Sequence, residues 1–385
     1  MADLTITSNK VNKSWLRSER GFLIFAFLMV LFPFALNSIT GTGLNEGVTK
    51  FWQGQMIIFF IMAVFAISYD LLIGYGGILS FGHAASFGGG AYTFALLMKH
   101  WAPNFIEKNP MIIGNPDISM IVVLLIIFFA VLLVSILIGL MFAVTSIRLK
   151  GTYFAMITLA LSTALYIIIK STDLHPWTGA DEGLYGIPLP VWLNPTQNRL
   201  TVYLISLAFL VISYFLIKRF VNSPTGHVII AIRENEDRIR MIGYNPVIYR
   251  TIAFVVASVF AGFAGALYSI WNISASPTML SVVTTVNALI MVIIGGMGTL
   301  VGPVFGAAVS QVIQQFFYTW FGARWPLVFG LLFIVIVMFV PYGIVGTYRL
   351  HAADIRQGWE WLVKLFSTRR AGAAEDQASP DQKTS

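Results

Sequence analysis

The sequence predicts an all-α, polytopic membrane protein of about ten transmembrane helices, some broken by glycine. Three observations carry this. Of the 385 residues, 57% are hydrophobic and only 11% charged, against about 25% charged in an ordinary soluble domain. Apolar runs of the roughly 20 residues needed to cross a bilayer recur along the chain. The basic residues also fall unevenly between the segments that join those runs. No cysteine is present, which excludes a disulfide framework, thiolate metal ligation and a cysteine nucleophile.

The candidate spans are 21–37, 54–73, 77–98, 118–144, 151–170, 201–217, 251–271, 282–297, 302–321 and 326–345. The third, eighth and ninth are weakened by glycine. Unpaired backbone groups are not tolerated in lipid, so segments of this length are helices, and no alternating pattern suggests a barrel. Residues 1–20 read as a basic cytoplasmic segment before a retained first span, since no small-residue cleavage site follows it. With the N-terminus inside, the inner segments hold eighteen Lys and Arg, among them Lys10, Arg148, Arg233 and Arg349. The outer segments hold six: Lys50, Lys99, Lys108, Lys170, Arg199 and Arg324. That bias is the positive-inside pattern. It favours an even span count with both termini cytoplasmic, and it explains the net charge of +7 without nucleic acid. Two outer loops, 99–117 and 171–200, are long; the second, with its prolines and tryptophans, is expected to be ordered, either as a docking surface or as an inert connecting cap. The tail 351–385 is cytoplasmic, and after about 371 its composition is that of a disordered segment.

Ionisable groups inside the spans are few: Asp70, near the inner end of the second span, and His83. Each reads either as a functional group or as a structural one, a helix-end brace for Asp70 and a packing residue for His83. His83 sits in GYGGILSFGHAASFGGGAY, 74–92, where glycine either permits close helix approach or lets the backbone leave helical geometry beside a cavity. A second stretch, GGMGTLVGPVFGAA, 295–308, echoes it. Each has a Gly-Gly pair, a hydroxyl residue (Ser80, Thr299), a further glycine (Gly82, Gly302) and then Phe-Gly (Phe87-Gly88, Phe305-Gly306). Paired glycine-interrupted segments point to the central path of a transporter; tight packing of short helices is the alternative.

The longest inner loop, 218–250, is also the most charged part of the chain. Ser223-Pro224 starts a helix, and Gly243 with Pro246 stops it. Val228, Ile232, Ile239 and Ile242 fall near one face of this helix, 224–243. Glu234–Arg238 and Glu236–Arg240 are favourable i,i+4 pairs. Mixed charge argues against simple attraction to anionic lipid, so the helix is expected to dock on another protein, with a plain solvated helix as the alternative. No Gly-Lys dipeptide, H-E-x-x-H or G-x-S-x-G occurs; phosphate-loop, zinc-protease and serine-hydrolase chemistry therefore have no motif here.

The stretch YDLLIGYGGILSFGHAASFGGGAY resembles the Liv-type ABC permeases, and within them the LivM-like subunit for branched-chain amino acids. LKGTYFAMITLA (149–160), TGADEGLYGIP (178–188), AIRENEDRIRMIGYNP (231–246) and IIGGMGTLVGPVFGA follow in the family's order, covering roughly residues 20–350. The resemblance implies a permease domain, 21–350, that carries no catalytic, metal or cofactor site. Its partners would be a LivH-like second permease, two ATPase subunits (LivG-like and LivF-like) that hold ATP and Mg, and a periplasmic solute-binding protein. It further implies a bacterial inner-membrane location and contact with membrane lipid. ATPase coupling would fall to Ile232, Arg233, Glu234, Asn235, Glu236, Ile239, Arg240 and Gly243. The translocation path or subunit interface would involve Tyr75, Gly76, Gly77, Ser80, Gly82, His83 and Gly88 of the first glycine stretch. Gly295, Gly296, Thr299 and Gly302 would be their counterparts in the second. The general ABC-permease pattern, Glu-Ala-Ala with glycine six residues after the glutamate, is not met: Asp237 and Arg238 follow Glu236, and Gly243 comes one position late. Related machines carry urea, short amides or aromatic acids, so these stand as alternative cargo. The alternative of another class is a self-sufficient carrier or channel, which would need coupling acids or a polar filter within the spans.

Overall fold

In this computed structural model, residues 6–41, 46–108, 116–146 and 151–324 are described, with scattered positions at 43, 149 and between 327 and 345. The expected tail 351–385 and half of the tenth span lie outside them.

Thirteen α-helices follow one another among the described residues: α1 (Ile6–Thr40), α2 (Gly47–Asp70), α3 (His83–Leu96), α4 (Ala102–Lys108), α5 (Pro116–Ser146), α6 (Gly151–Lys170) and α7 (His175–Thr178), then α8 (Arg199–Val221), α9 (Pro224–Glu234), α10 (Glu236–Met241), α11 (Pro246–Asn272), α12 (Val282–Gly295) and α13 (Val301–Phe321). Six are long and apolar enough to cross a membrane: α1, α2 with the π turn 71–75, α5, α6, α8 and α11. The fold is an all-α, multi-pass membrane bundle.

α2 is the central post. Nearly every residue from Phe59 to Leu72 is buried, so the helix is apolar on all sides, as a helix surrounded by others must be. Against it pack α8, α11, α12 and α13. α3 and α11 approach most closely because their facing positions are small. A Cβ on Gly90 would overlap the carbonyl of Gly262, and one on Gly265 the carbonyl of Phe87. Small residues at such crossings let backbones meet where no hydrophobic force separates helix from lipid. Ser86 Oγ donates to Ser258 Oγ across the same interface, at 3.0 Å. α1, α5 and α6 turn large apolar side chains outward, among them Phe27, Leu133 and Met156, as lipid-facing helices do.

The bundle has two ends. At one, α9 and α10 lie beside the π turn 71–75 and the loop 296–300. At the other, the segment 171–198 forms a cap. There β1 (Leu184–Tyr185) pairs antiparallel with β2 (Ser274–Ala275), in the register Leu184 with Ala275. Lys170 pairs with Asp181 at 2.8 Å, and Lys99 Nζ donates to Tyr185 O at 3.0 Å. The cap expected of 171–200 is thus ordered.

Three expected elements differ. The third span does not start at 77: α3 begins at His83, and helical structure continues through a π turn (Leu97–Trp101) and α4 to 108, so the first ten residues of the expected loop 99–117 are helical. The eighth, α12, has 14 residues, about 21 Å at 1.5 Å per residue, which is short of the hydrocarbon. Residues 273–281, a two-residue strand followed by a 3-10 turn over Pro277–Leu280, lead from the cap to its start. The helix expected at 224–243 is two helices, because Asn235 leaves helical geometry (φ −158°, ψ 99°) and its side chain caps α10 by accepting from Arg238 N at 2.9 Å.

Candidate functional site

The two glycine stretches meet at the α9–α10 end. Asp70, fully buried at the end of α2, accepts from Gly298 N at 2.8 Å through Oδ1. Its Oδ2 has no partner among the described residues. Gly74 lies between them, and a Cβ there would overlap both Asp70 Oδ1 and Gly298 N. Arg233, in the last turn of α9, donates from Nη1 to Gly74 O. One carboxylate therefore fastens the second glycine loop to α2, and one guanidinium fastens α9 to the first. Asp70 braces a helix end, with a loop 228 residues away in sequence as its partner.

The non-helical stretch 76–82 is held by protein groups. Tyr69 Oη donates to Ser80 O at 2.9 Å, Phe81 N donates to Thr158 Oγ1 at 3.1 Å, and Thr285 Oγ1 donates to Phe81 O at 3.2 Å. Irregular backbone inside a membrane protein requires such satisfaction. The two stretches also share a local device. Ser80 Oγ accepts from Gly82 N at 3.2 Å, and Thr299 Oγ1 accepts from Gly302 N at 3.1 Å. The sequence echo thus has a counterpart in hydrogen bonding: each break is tied by a hydroxyl to a glycine near the start of the next helix, α3 or α13.

The remaining residues of the expected path fall around this junction. Tyr75 is half-buried in the π turn, and Gly76 is its C-cap. Gly77 (φ +65°) lies against the aliphatic stem of Arg233. A Cβ on Gly82 would strike the Phe142 ring, one on Gly88 the Leu280 side chain, and one on Gly295 the backbone of Gly302. Gly296 terminates α12 (φ 114°, ψ 110°). His83 is buried, stacks on Phe65 with ring centroids 5.1 Å apart, and shares a 2.8 Å hydrogen bond between Nε2 and Ser68 Oγ. Because Ser68 Oγ donates to Phe65 O at 2.7 Å, the proton shared with His83 sits on Nε2. The histidine packs inside this chain.

The expected coupling residues divide. Ile232 is only 4% exposed within this chain, which contradicts its assignment as an outward anchor: the break at Asn235 places it and Ile239 on different helices, and α9 turns Ile229 and Ile232 inward. Ile239 is half-buried. Glu234 and Arg238 form no ion pair among the described residues, since the break also separates them. Glu236 pairs with Arg240 at 2.6 Å and with Arg250 of α11 at 2.9 Å, anchoring α10. Gly243 (φ +98°) closes α10: its N donates to Arg240 O at 3.0 Å and Tyr244 N to Ile239 O at 3.3 Å, a Schellman end that demands the left-handed conformation. On either side of it, Met241, Ile242, Tyr244 and Ile248 are exposed, Met241 by 86%. These four apolar residues stand on the most charged segment of the chain, and none of them is among the expected coupling residues, although Ile242 lies on the expected apolar face.

The family model described as branched-chain amino acid transport system / permease component matches residues 54–340, a range that contains both glycine stretches and the whole α9–α10 segment. The chain belongs to this permease family. It is similar to the high-affinity branched-chain amino acid transport system permease protein LivM of Salmonella typhimurium and to that of Escherichia coli, each at 26% identity over 314 residues, covering 75% of this chain and 68% of the relative. A probable LivM of Methanocaldococcus jannaschii is 26% identical over 327 residues, 75% of this chain and 92% of the relative. No solved structure matches. Besides the fastened junction just described, the permease has a cleft of about 550 Å³ between α2, α11, α12 and α13. Thr284, Asn287, Gln311 and Gln314 line that cleft. A reading confined to ionisable groups passes over them, although uncharged amides in apolar helices are a legible signal.

Proposed function

We propose that this permease is one membrane half of an ATP-driven importer of branched-chain amino acids. The other half is a LivH-like permease; two ATPases of LivG and LivF type hold ATP and Mg, and a solute-binding protein delivers cargo at the β1–β2 end. The observation that carries the reading is the apolar tip Met241, Ile242, Tyr244 and Ile248 on a charged segment whose preceding helix is hydrogen-bonded to the glycine junction. Such a tip fits a groove on an ATPase, and movement of α9 would pass through Arg233 to the π turn 71–75 and, through Asp70, to the loop 296–300. Eighteen of the 24 basic residues fall on the α9–α10 side in the ten-span topology, which supports that side as cytoplasmic in a bacterial inner membrane. Uptake of labelled leucine, urea and short amides by cells with and without this chain tests the cargo. Leucine uptake that depends on the chain is expected. Dependence confined to urea or amides would overturn the cargo while leaving the machine, and uptake undiminished when the ATPases are disabled would overturn the machine.

A further inference from the structure

We infer that the cleft between α2, α11, α12 and α13 is the site that holds the solute in transit, and that its ligand is a small aliphatic amino acid in zwitterionic form. The inference rests on the importer reading above and adds the site and the chemistry of recognition.

Depth is the first argument. α2 lines the cleft with Ile58, Met62 and Phe65, from the middle of a span that runs from Gly47 to Tyr75. The segment 273–281 descends to the same level. It leaves β2 at the cap, yet Leu280 lies against Gly88. Gly88 is roughly 16 Å along the helix from Lys99, which bonds the cap. Chain without α-helical structure, a two-residue strand and then a 3-10 turn over Pro277–Leu280, therefore reaches the middle of the bundle; such irregular backbone is tolerated only where it is buried in protein or borders a water-filled cavity. α12 starts at the bottom of this descent, and Ser281, its N-cap, makes no side-chain cap bond. A half-helix that begins in mid-membrane at a polar cavity is an arrangement transporters use to face the carboxylate of a solute.

Chemistry is the second argument. Among the described residues no charged side chain lines the cleft. Asn287 and Gln314 are half-buried and have no hydrogen-bond partner among the described residues; Gln311 Nε2 donates to Gln55 Oε1 at 3.1 Å. Half-buried amides without partners leave donors and acceptors open to a passing solute. They suit a ligand that carries both signs but no net charge. Ile58, Met62 and Met291 supply an apolar wall for an aliphatic side chain, and methionine adapts to several shapes. The volume lies within the range of small-ligand sites, about 300–1,000 Å³.

Because the chain has no cysteine, single cysteines report cleanly. Asn287→Cys, Thr284→Cys and Gln314→Cys would be made in the assembled transporter and labelled with a membrane-impermeant methanethiosulfonate, with and without leucine. Val312→Cys, exposed on the same helix as Gln314, serves as control. Leucine is expected to slow labelling several-fold at the cleft positions and not at Val312→Cys. Asn287→Ala and Gln314→Ala are expected to raise KM for leucine about tenfold each, the scale of one lost hydrogen bond, with the ATPases still bound. If the wild-type transporter takes up no amino acid, the proposed function fails and the ligand class with it. If it takes up leucine but labelling ignores leucine and KM is unchanged, the cleft assignment alone fails.

Discussion

Replacing Arg233 with alanine cuts the direct hydrogen bond between α9 and the first glycine stretch. A hydrogen bond from a charged donor contributes about 1.5–3 kcal/mol net. Arg233 is largely exposed apart from this contact, so the lower figure applies, and about 1.4 kcal/mol is tenfold in an equilibrium. The stem adds to this, because it packs on Gly77 and long basic side chains stabilise partly through their methylenes. The assembled transporter in proteoliposomes, assayed for solute moved per ATP hydrolysed, separates the parts. Arg233→Ala should lower the ratio about tenfold. Arg233→Met restores the stem only and should remain low. Arg233→Lys keeps stem and charge but loses the planar fork and should fall between. All three should retain the ATPases, since the exposed apolar tip is untouched. Arg233→Ala moving as much solute per ATP as the wild type would refute the transmission route.

Ile232→Asp places a carboxylate at a 4% exposed position; it should lower the amount of folded permease itself, whereas Met241→Asp should leave the permease intact and release the ATPases on co-purification. If Ile232→Asp yields normal permease without ATPases, the inward placement of Ile232 is wrong. Gly88→Leu drives a side chain into Leu280 and should abolish uptake at normal membrane level; normal uptake would remove the segment 273–281 from the path. Reporter fusions after Arg20 and after Arg370 should both signal cytoplasm, and an outward signal from either would break the ten-span topology.

Much of this architecture is legible in composition and spacing. Lipid-length apolar runs and the basic bias follow from simple transfer energetics, and the two glycine stretches announce themselves by being the least lipid-like residues in apolar surroundings. The sequence is less informative about depth. VVTTVNALIMVIIG reads as an apolar run wherever it sits, and only the contact between Leu280 and Gly88, 192 positions away, shows that it begins in mid-bundle. The break at Asn235 is hidden for a different reason. The i,i+4 charges and the apolar face continue smoothly across it, yet asparagine competes with helix by capping, and here the cap wins while Glu236 bonds to Arg250 instead of extending the helix. Asp70 and Arg233 look like isolated charges in one dimension; their partners are backbone groups of glycine, which no side-chain pattern reveals.

The two-residue ladder between β1 and β2, with Ile187 N bonding Ile273 O at 3.4 Å, ties the cap to the root of the segment that descends to the cleft. Such a tie is made of main chain. Side chains on the cap, such as the outward Tyr185 and Trp177, are therefore free to change without putting slack into the connection. Loops vary more readily than the elements they join. In this fold the exposed rim and the buried stem share one backbone seam, so a changed side chain at the surface does not loosen the grip on the interior.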